Sequence, residues 1–118
     1  MKIVAGESVA PLVQERGGRL WIWFDPQQFL GTATVYLMTS TEPLGTNRLT
    51  RRSRSARRPH KFREFAAEGF TVLLDHGRLD PPQELHLEVK GLGRKKRVEA
   101  YWNGAIFVGE DVPPPSHD

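Results

Sequence analysis

The residues with the most obvious chemistry lie in NRLTRRSRSARRPHKFR, residues 47–63, which holds eight basic side chains and no acid. They are Arg48, Arg51, Arg52, Arg54, Arg57, Arg58, Lys61 and Arg63. Seven of the eight are arginine, whose planar fork of N–H donors suits two-point contacts with a phosphate or carboxylate. The segment therefore reads as an anion-binding arm for an acidic protein or a nucleic acid. It also reads as a solvated loop, since a run with almost no apolar residues buries too little surface to order itself. A second cluster, KGLGRKKR at 90–97, adds Lys90, Arg94, Lys95, Lys96 and Arg97. The chain has 17 basic residues; without the eight in 47–63, nine remain against 14 acids, a balance of −5. The basicity belongs to segments and not to the whole surface, which argues against a nucleic-acid footprint over the entire domain.

Other chemistry is more thinly supported. Cysteine is absent, which removes disulfides, thiolate metal sites and cysteine nucleophiles together. Asp75, His76, Asp80 and His86 form the best set for an enzymatic site. Asp75 and His76 are adjacent, however, and neighbouring side chains on extended backbone point to opposite faces. No serine has the Gly-x-Ser-x-Gly elbow of a hydrolase, and Asp75 also suits turn hydrogen bonds. For a metal, Glu84, His86 and Glu88 align on one strand face at steps of about 6.6 Å, with His76 as a further candidate. A solvated strand face explains that pattern equally. Gly91-Leu92-Gly93 lacks the rest of a nucleotide-binding fingerprint and reads as a turn. Trp21, Trp23, Tyr101 and Trp102 could stack on bases, or fill a core or interface as large aromatics generally do.

The elements that must position these groups are short. At 118 residues the chain is expected to form one domain over 1–110, with a basic loop at 46–61 and a Pro-rich tail at 111–118. Ser8, Pro11 and Gly17-Gly18 bracket a short helix whose Val9, Leu12 and Val13 share a face. RLWIWFD (19–25) reads as a strand covered on both faces, broken at Asp25-Pro26. TATVYLMTS (32–40) is a second strand. Phe62–Phe65 is a short ordered stretch, Phe70–Leu74 a strand, and ELHLEVK alternates Leu85, Leu87 and Val89 inward. Asn103-Gly104 predicts a tight hairpin turn, because both of its central residues need positive φ. The expected fold is a mostly β, α+β, sandwich-like domain of about seven short strands with one helix near the start.

The stretches RLWIWFDPQQFLGTATVYLMTSTEP (19–43) and EGFTVLLDHGRLDPPQELHLEV (68–89), with the early helix and late hairpin, resemble the HesB/IscA-like (A-type) iron–sulfur carrier domain. The resemblance covers roughly residues 2 to 108, apart from the basic segment, and implies a HesB-like fold. Its cluster ligands do not carry over. Phe29 or Leu30 occupies the place of the first ligand cysteine, and IFVGEDVPPPSHD holds no counterpart of the paired cysteines near the family's carboxyl end. The resemblance thus implies shared ancestry without the iron chemistry, and makes the basic segment an insertion. The reading from sequence is a non-enzymatic binding or adaptor module without a cofactor. Its alternatives are a nucleic-acid-associated protein and a metal or enzymatic site around Asp75, His76 and His86. A cytoplasmic location is expected, as the start lacks a sustained apolar stretch. No membrane partner is expected, since no run approaches the roughly 20 apolar residues of a span.

Overall fold

A computed structural model describes residues 1–29, 32–45, 51 and 54–104. Among them run seven strands, two short helices and one 3-10 turn. They are β1 (Lys2–Ala5), α1 (Val9–Glu15), β2 (Arg19–Phe29), β3 (Thr32–Ser40) and α2 (Arg54–Arg57). Then come β4 (Arg63–Ala67), β5 (Phe70–Leu74), β6 (Glu84–Lys90), the 3-10 turn Gly93–Lys95 and β7 (Arg97–Trp102). The expected α+β sandwich of seven strands with an early short helix is the observed architecture.

The strands form two sheets, β1-β6-β7 and β3-β2-β5-β4. In each sheet one pairing is parallel: β1 with β6 from Lys2↔Glu84 to Ala5↔Leu87, and β2 with β5 from Arg19↔Thr71 to Ile22↔Leu74. The sheets meet along β3 and β7, where the Thr39 hydroxyl donates to the Val98 carbonyl at 2.5 Å. Alternation puts Leu20, Ile22, Val72, Leu74, Leu85, Leu87, Val98 and Ala100 between the sheets, closed by Val9, Leu12 and Val13 of α1. Burying each large aliphatic side chain of that set contributes about 1.5–3 kcal/mol, which is what a seven-residue helix needs to persist. Phe24 and Trp102 form a second cluster with ring centres 5.2 Å apart.

Three local expectations are corrected. Ser8 stands at the N-cap of α1 but makes no side-chain cap bond; the Gly6 carbonyl accepts from Val9 N–H at 3.1 Å instead. At the other end, Gly18 N–H returns to the Val13 carbonyl at 2.8 Å, and Gln14 Nε2 donates to the Gly69 carbonyl at 2.6 Å. Asp25-Pro26 does not break β2, which continues to Phe29 opposite β3. Pairing with β5 has ended at Ile22, so a residue without an N–H at position 26 costs no ladder bond to β5. The stretch placed at Phe62–Phe65 is a full strand, β4, ending at Ala67.

Asn103 and Gly104 have φ of 50° and 84°, the positive pair that the hairpin turn requires. The run expected to follow it, and the tail at 111–118, lie outside the described residues.

Candidate anion-binding surface

The outer face of β2 decides how the basic segment sits. Leu20, Ile22 and Phe24 point inward, so Trp23 points away from the core, yet it is only 1% exposed. What covers it is α2. Ser55 and Ala56 turn inward and are buried, and the indole Nε1–H of Trp23 donates to Ser55 Oγ at 2.9 Å. His60 completes the seal: its ring lies 6.2 Å from that of Trp23 and 5.2 Å from that of Phe62. The expectation that the segment cannot order itself thus meets a physical exception over 54–61. The segment contributes few apolar atoms, but the sheet offers it a tryptophan, and small Ser and Ala allow a close approach.

Polar bonds fix the position. His60 Nδ1 lies 2.7 Å from Oδ2 of Asp75, and Nε2 lies 2.6 Å from the Ser55 carbonyl oxygen. The two contacts hold the ring between the end of β5 and α2. Asp75 is held in turn by Gly77 N–H, which donates to its Oδ1 at 3.0 Å, and its own N–H reaches the Ile22 carbonyl at 3.0 Å. The aspartate makes the turn bond expected of it, but its histidine is His60, fifteen positions back, and not the adjacent His76. His76 uses Nδ1 on the Leu79 carbonyl at 2.6 Å.

Ser55, His60 and Asp75 have the residue types of a hydrolytic triad without its geometry. His60 Nε2 faces the serine's main-chain carbonyl, Ser55 Oγ accepts from Trp23, and Ser55 is 3% exposed. A nucleophile needs its hydroxyl on the base and access to substrate, and this serine has neither. The arrangement is a clasp. Trp23, Ser55 and His60 were not singled out as a set from the sequence. A Pro-His pair that follows Arg-rich helix-forming residues is the one local signal, and it does not say where the ring goes.

On the solvent side of the clasp, Arg54, Arg57 and Arg58 are exposed and, with Pro59, line a shallow open depression. Arg51 is exposed as well, and none of these four guanidiniums pairs with a carboxylate among the described residues. Lys61 and Arg63 are exposed, with Arg63 lying 5.1 Å over the Phe65 ring. Arg48 and Arg52 lie outside the described residues.

The remaining candidates fall elsewhere. Glu84, His86 and Glu88 share the outer face of β6, as their alternation predicts. His86 Nε2 is 3.0 Å from Glu84 Oε1, and Glu88 meets Lys90 at 3.4 Å. Among the described residues no three His, Asp or Glu side chains are grouped to hold a metal ion. Across the ladder Glu88 faces Glu99, which also accepts from Arg97 at 3.0 Å and from the Tyr101 hydroxyl at 2.8 Å. Burial, that hydrogen bond and the charges of Glu99 and Glu88 push the Tyr101 phenol up from 10.0 to about 12. Trp23 and Trp102 are buried at 1% and 9%, so neither offers a face to a base. The second basic cluster forms the tip of the β6–β7 hairpin, and no ion pair among the described residues links it to α2. No helix among the described residues is long and apolar enough to cross a membrane.

Comparison with known proteins finds no family model that matches the chain and no curated protein that matches it.

Proposed function

We propose that the chain is a non-enzymatic binding module whose clasped arginine surface takes an acidic segment of a partner protein. One observation carries this reading. Arg54, Arg57 and Arg58 stand exposed around one depression without carboxylate partners among the described residues, on a backbone tied from beneath through Ser55 and His60. Preorganised guanidiniums lose less freedom on binding than those of a free arm, so their two-point bonds to carboxylates bring more net affinity. Protein carboxylates are favoured over nucleic acid because two tryptophans that could have stacked on bases are buried. The balance of −5 outside residues 47–63 would also repel a long phosphate backbone.

The order strand, helix, two strands, charged link, then the later strands and hairpin supports reading the chain as a cysteine-less relative of the HesB/IscA-like carriers. On that reading the fold was kept for binding after its thiolates were lost. A cytoplasmic location accords with a chain that contains no cysteine to oxidise.

The test is anisotropy of a labelled oligoglutamate peptide and, separately, of a labelled single-stranded oligonucleotide, over a salt series. Replacing Arg54, Arg57 and Arg58 together by Glu should weaken the peptide at least tenfold and leave the thermal transition in place. Unchanged peptide binding would sink the proposal, and a loss confined to the oligonucleotide would replace it with the nucleic-acid reading.

A further inference from the structure

The second basic cluster carries an exposed apolar side chain at its apex. Leu92, at the tip of the β6–β7 hairpin, is 86% exposed, and the only other exposed large hydrophobic residue among those described is Met1 at 39%. A lone exposed leucine is ordinary. This one is held out by its own turn and stands among cations. Gly91 has φ of +92°, and a Cβ there would lie 2.5 Å from the Lys95 carbonyl oxygen, so the chain folds tightly back beneath the apex. Gly93 has φ of +58°, and Lys95 N–H returns to the Leu92 carbonyl at 3.1 Å. Every residue from 90 to 97 is exposed. Lys90 and Arg97, at the base, pair with Glu88 and Glu99 of their own strands. Arg94, Lys95 and Lys96, beside the leucine, have no ion-pair partner among the described residues.

We infer that this tip is a docking point for an anionic lipid surface, with Leu92 entering the interface and Arg94, Lys95 and Lys96 resting on the headgroups. An apolar apex flanked by cations is what a bilayer edge rewards: apolar area leaves water while each cation gains from the negative surface potential. A nucleic acid offers the cations as much but gives an aliphatic apex nothing to enter, and the tip has no aromatic ring to stack. A folded protein would need a preformed pocket for a convex knob, whereas lipids part and gather around one. The expectation of no membrane partner rested on the lack of a spanning run, and a peripheral contact needs none. The contact is separate from the arginine surface of α2.

The experiment uses the full chain in co-sedimentation with vesicles of phosphatidylcholine alone and of phosphatidylcholine with phosphatidylglycerol in equal parts. The chain should sediment with the mixed vesicles and stay in solution with the neutral ones. Lys95→Glu with Lys96→Glu should weaken binding at least about 25-fold, taking roughly fivefold for each cation removed. Leu92→Ser should weaken it about tenfold. All three side chains are exposed, so the variants should keep the parent's unfolding temperature. Because the chain has no cysteine, Leu92→Cys takes a polarity-sensitive dye at one site only, and its emission should move to the blue on mixed vesicles. The same dye at Asp80→Cys, on an exposed loop, should not respond. Sedimentation with an unshifted dye at position 92 would overturn the proposal, as would mixed-vesicle binding that survives both sets of substitutions. If the Lys95 and Lys96 changes abolished binding of a nucleic-acid oligomer and left vesicles untouched, the tip would be a nucleic-acid contact and the lipid assignment wrong. Substituting Arg54, Arg57 and Arg58 should leave the dye response intact, which keeps this result apart from that of the arginine surface.

Discussion

The two basic segments look alike as strings of charge and are built in opposite ways. In residues 54–61 the side chains of Ser55, Ala56 and His60 face inward beneath the segment, with Ser55 and His60 against Trp23, and the arginines and Pro59 remain outside. At 90–97 the uncharged residues form the apex, with two glycines bending the backbone and Leu92 pointing into solvent. One segment is anchored through tertiary contacts and the other through its own turn. Charge counts cannot separate them, because the difference lies in the few residues between the arginines and lysines. A clasped surface suits a partner with fixed acidic groups, and a projecting apolar tip suits a surface that yields.

Removing the anchor should break the contrast most forcefully. Trp23→Ala takes away a buried ring from beneath α2 and should cost about 3–5 kcal/mol in urea denaturation. Amides of 54–57 should then lose their protection from hydrogen exchange, while those of the 93–96 turn keep theirs. Equal loss in both places would mean that the two segments are not anchored differently. Asp75→Ala comes next. It leaves His60 Nδ1 and Gly77 N–H without their acceptor and should cost about 1–3 kcal/mol, whereas Lys95→Glu with Lys96→Glu stays within about 0.5 kcal/mol.

The hairpin has its own breaking point. Gly91→Ala forces a Cβ toward the Lys95 carbonyl at a positive φ and should cost about 1–2 kcal/mol. It should also blunt lipid binding while leaving oligoglutamate binding at the parent's level, which sharpens the separation of the two surfaces. The smallest expected effect concerns pH. Tyr101 is pushed up to about 12 in the folded chain, so its contribution is fully present below its unfolded value of 10.0 and is lost as pH rises from there to about 12. Tyr101→Phe should flatten that part of the stability profile, measured by denaturant midpoints across the window, and move neither binding activity.

Some of this was open to reading in the chain. Val9, Leu12 and Val13 sit three and four apart, and Leu85, Leu87 and Val89 sit two apart, so each set shares a face whatever the fold. Asn103-Gly104 could be read because few residue pairs accept two positive φ values in succession. Ser8 misled, since the residue type of a cap does not ensure the backbone geometry in which the cap bond forms. Pro26 misled for the opposite reason: whether a missing N–H matters depends on which strands flank it, and β5 had already ended. Of the candidate surface, the arginines were plain and the clasp was hidden. His60 and Asp75 are fifteen residues apart, and no periodicity connects them.

By itself, the sequence determined the terms that depend only on neighbours along the chain: the apolar faces, the glycine-dependent turns, the concentration of charge and the exclusion of thiolate chemistry. The tertiary structure decided which aspartate meets which histidine and which tryptophan is covered. It also decided which cations meet a carboxylate, as Lys90 and Arg97 do. Those are properties of residues brought together by sheet pairing, and their energies come from contacts and shared burial that no stretch of the chain possesses alone.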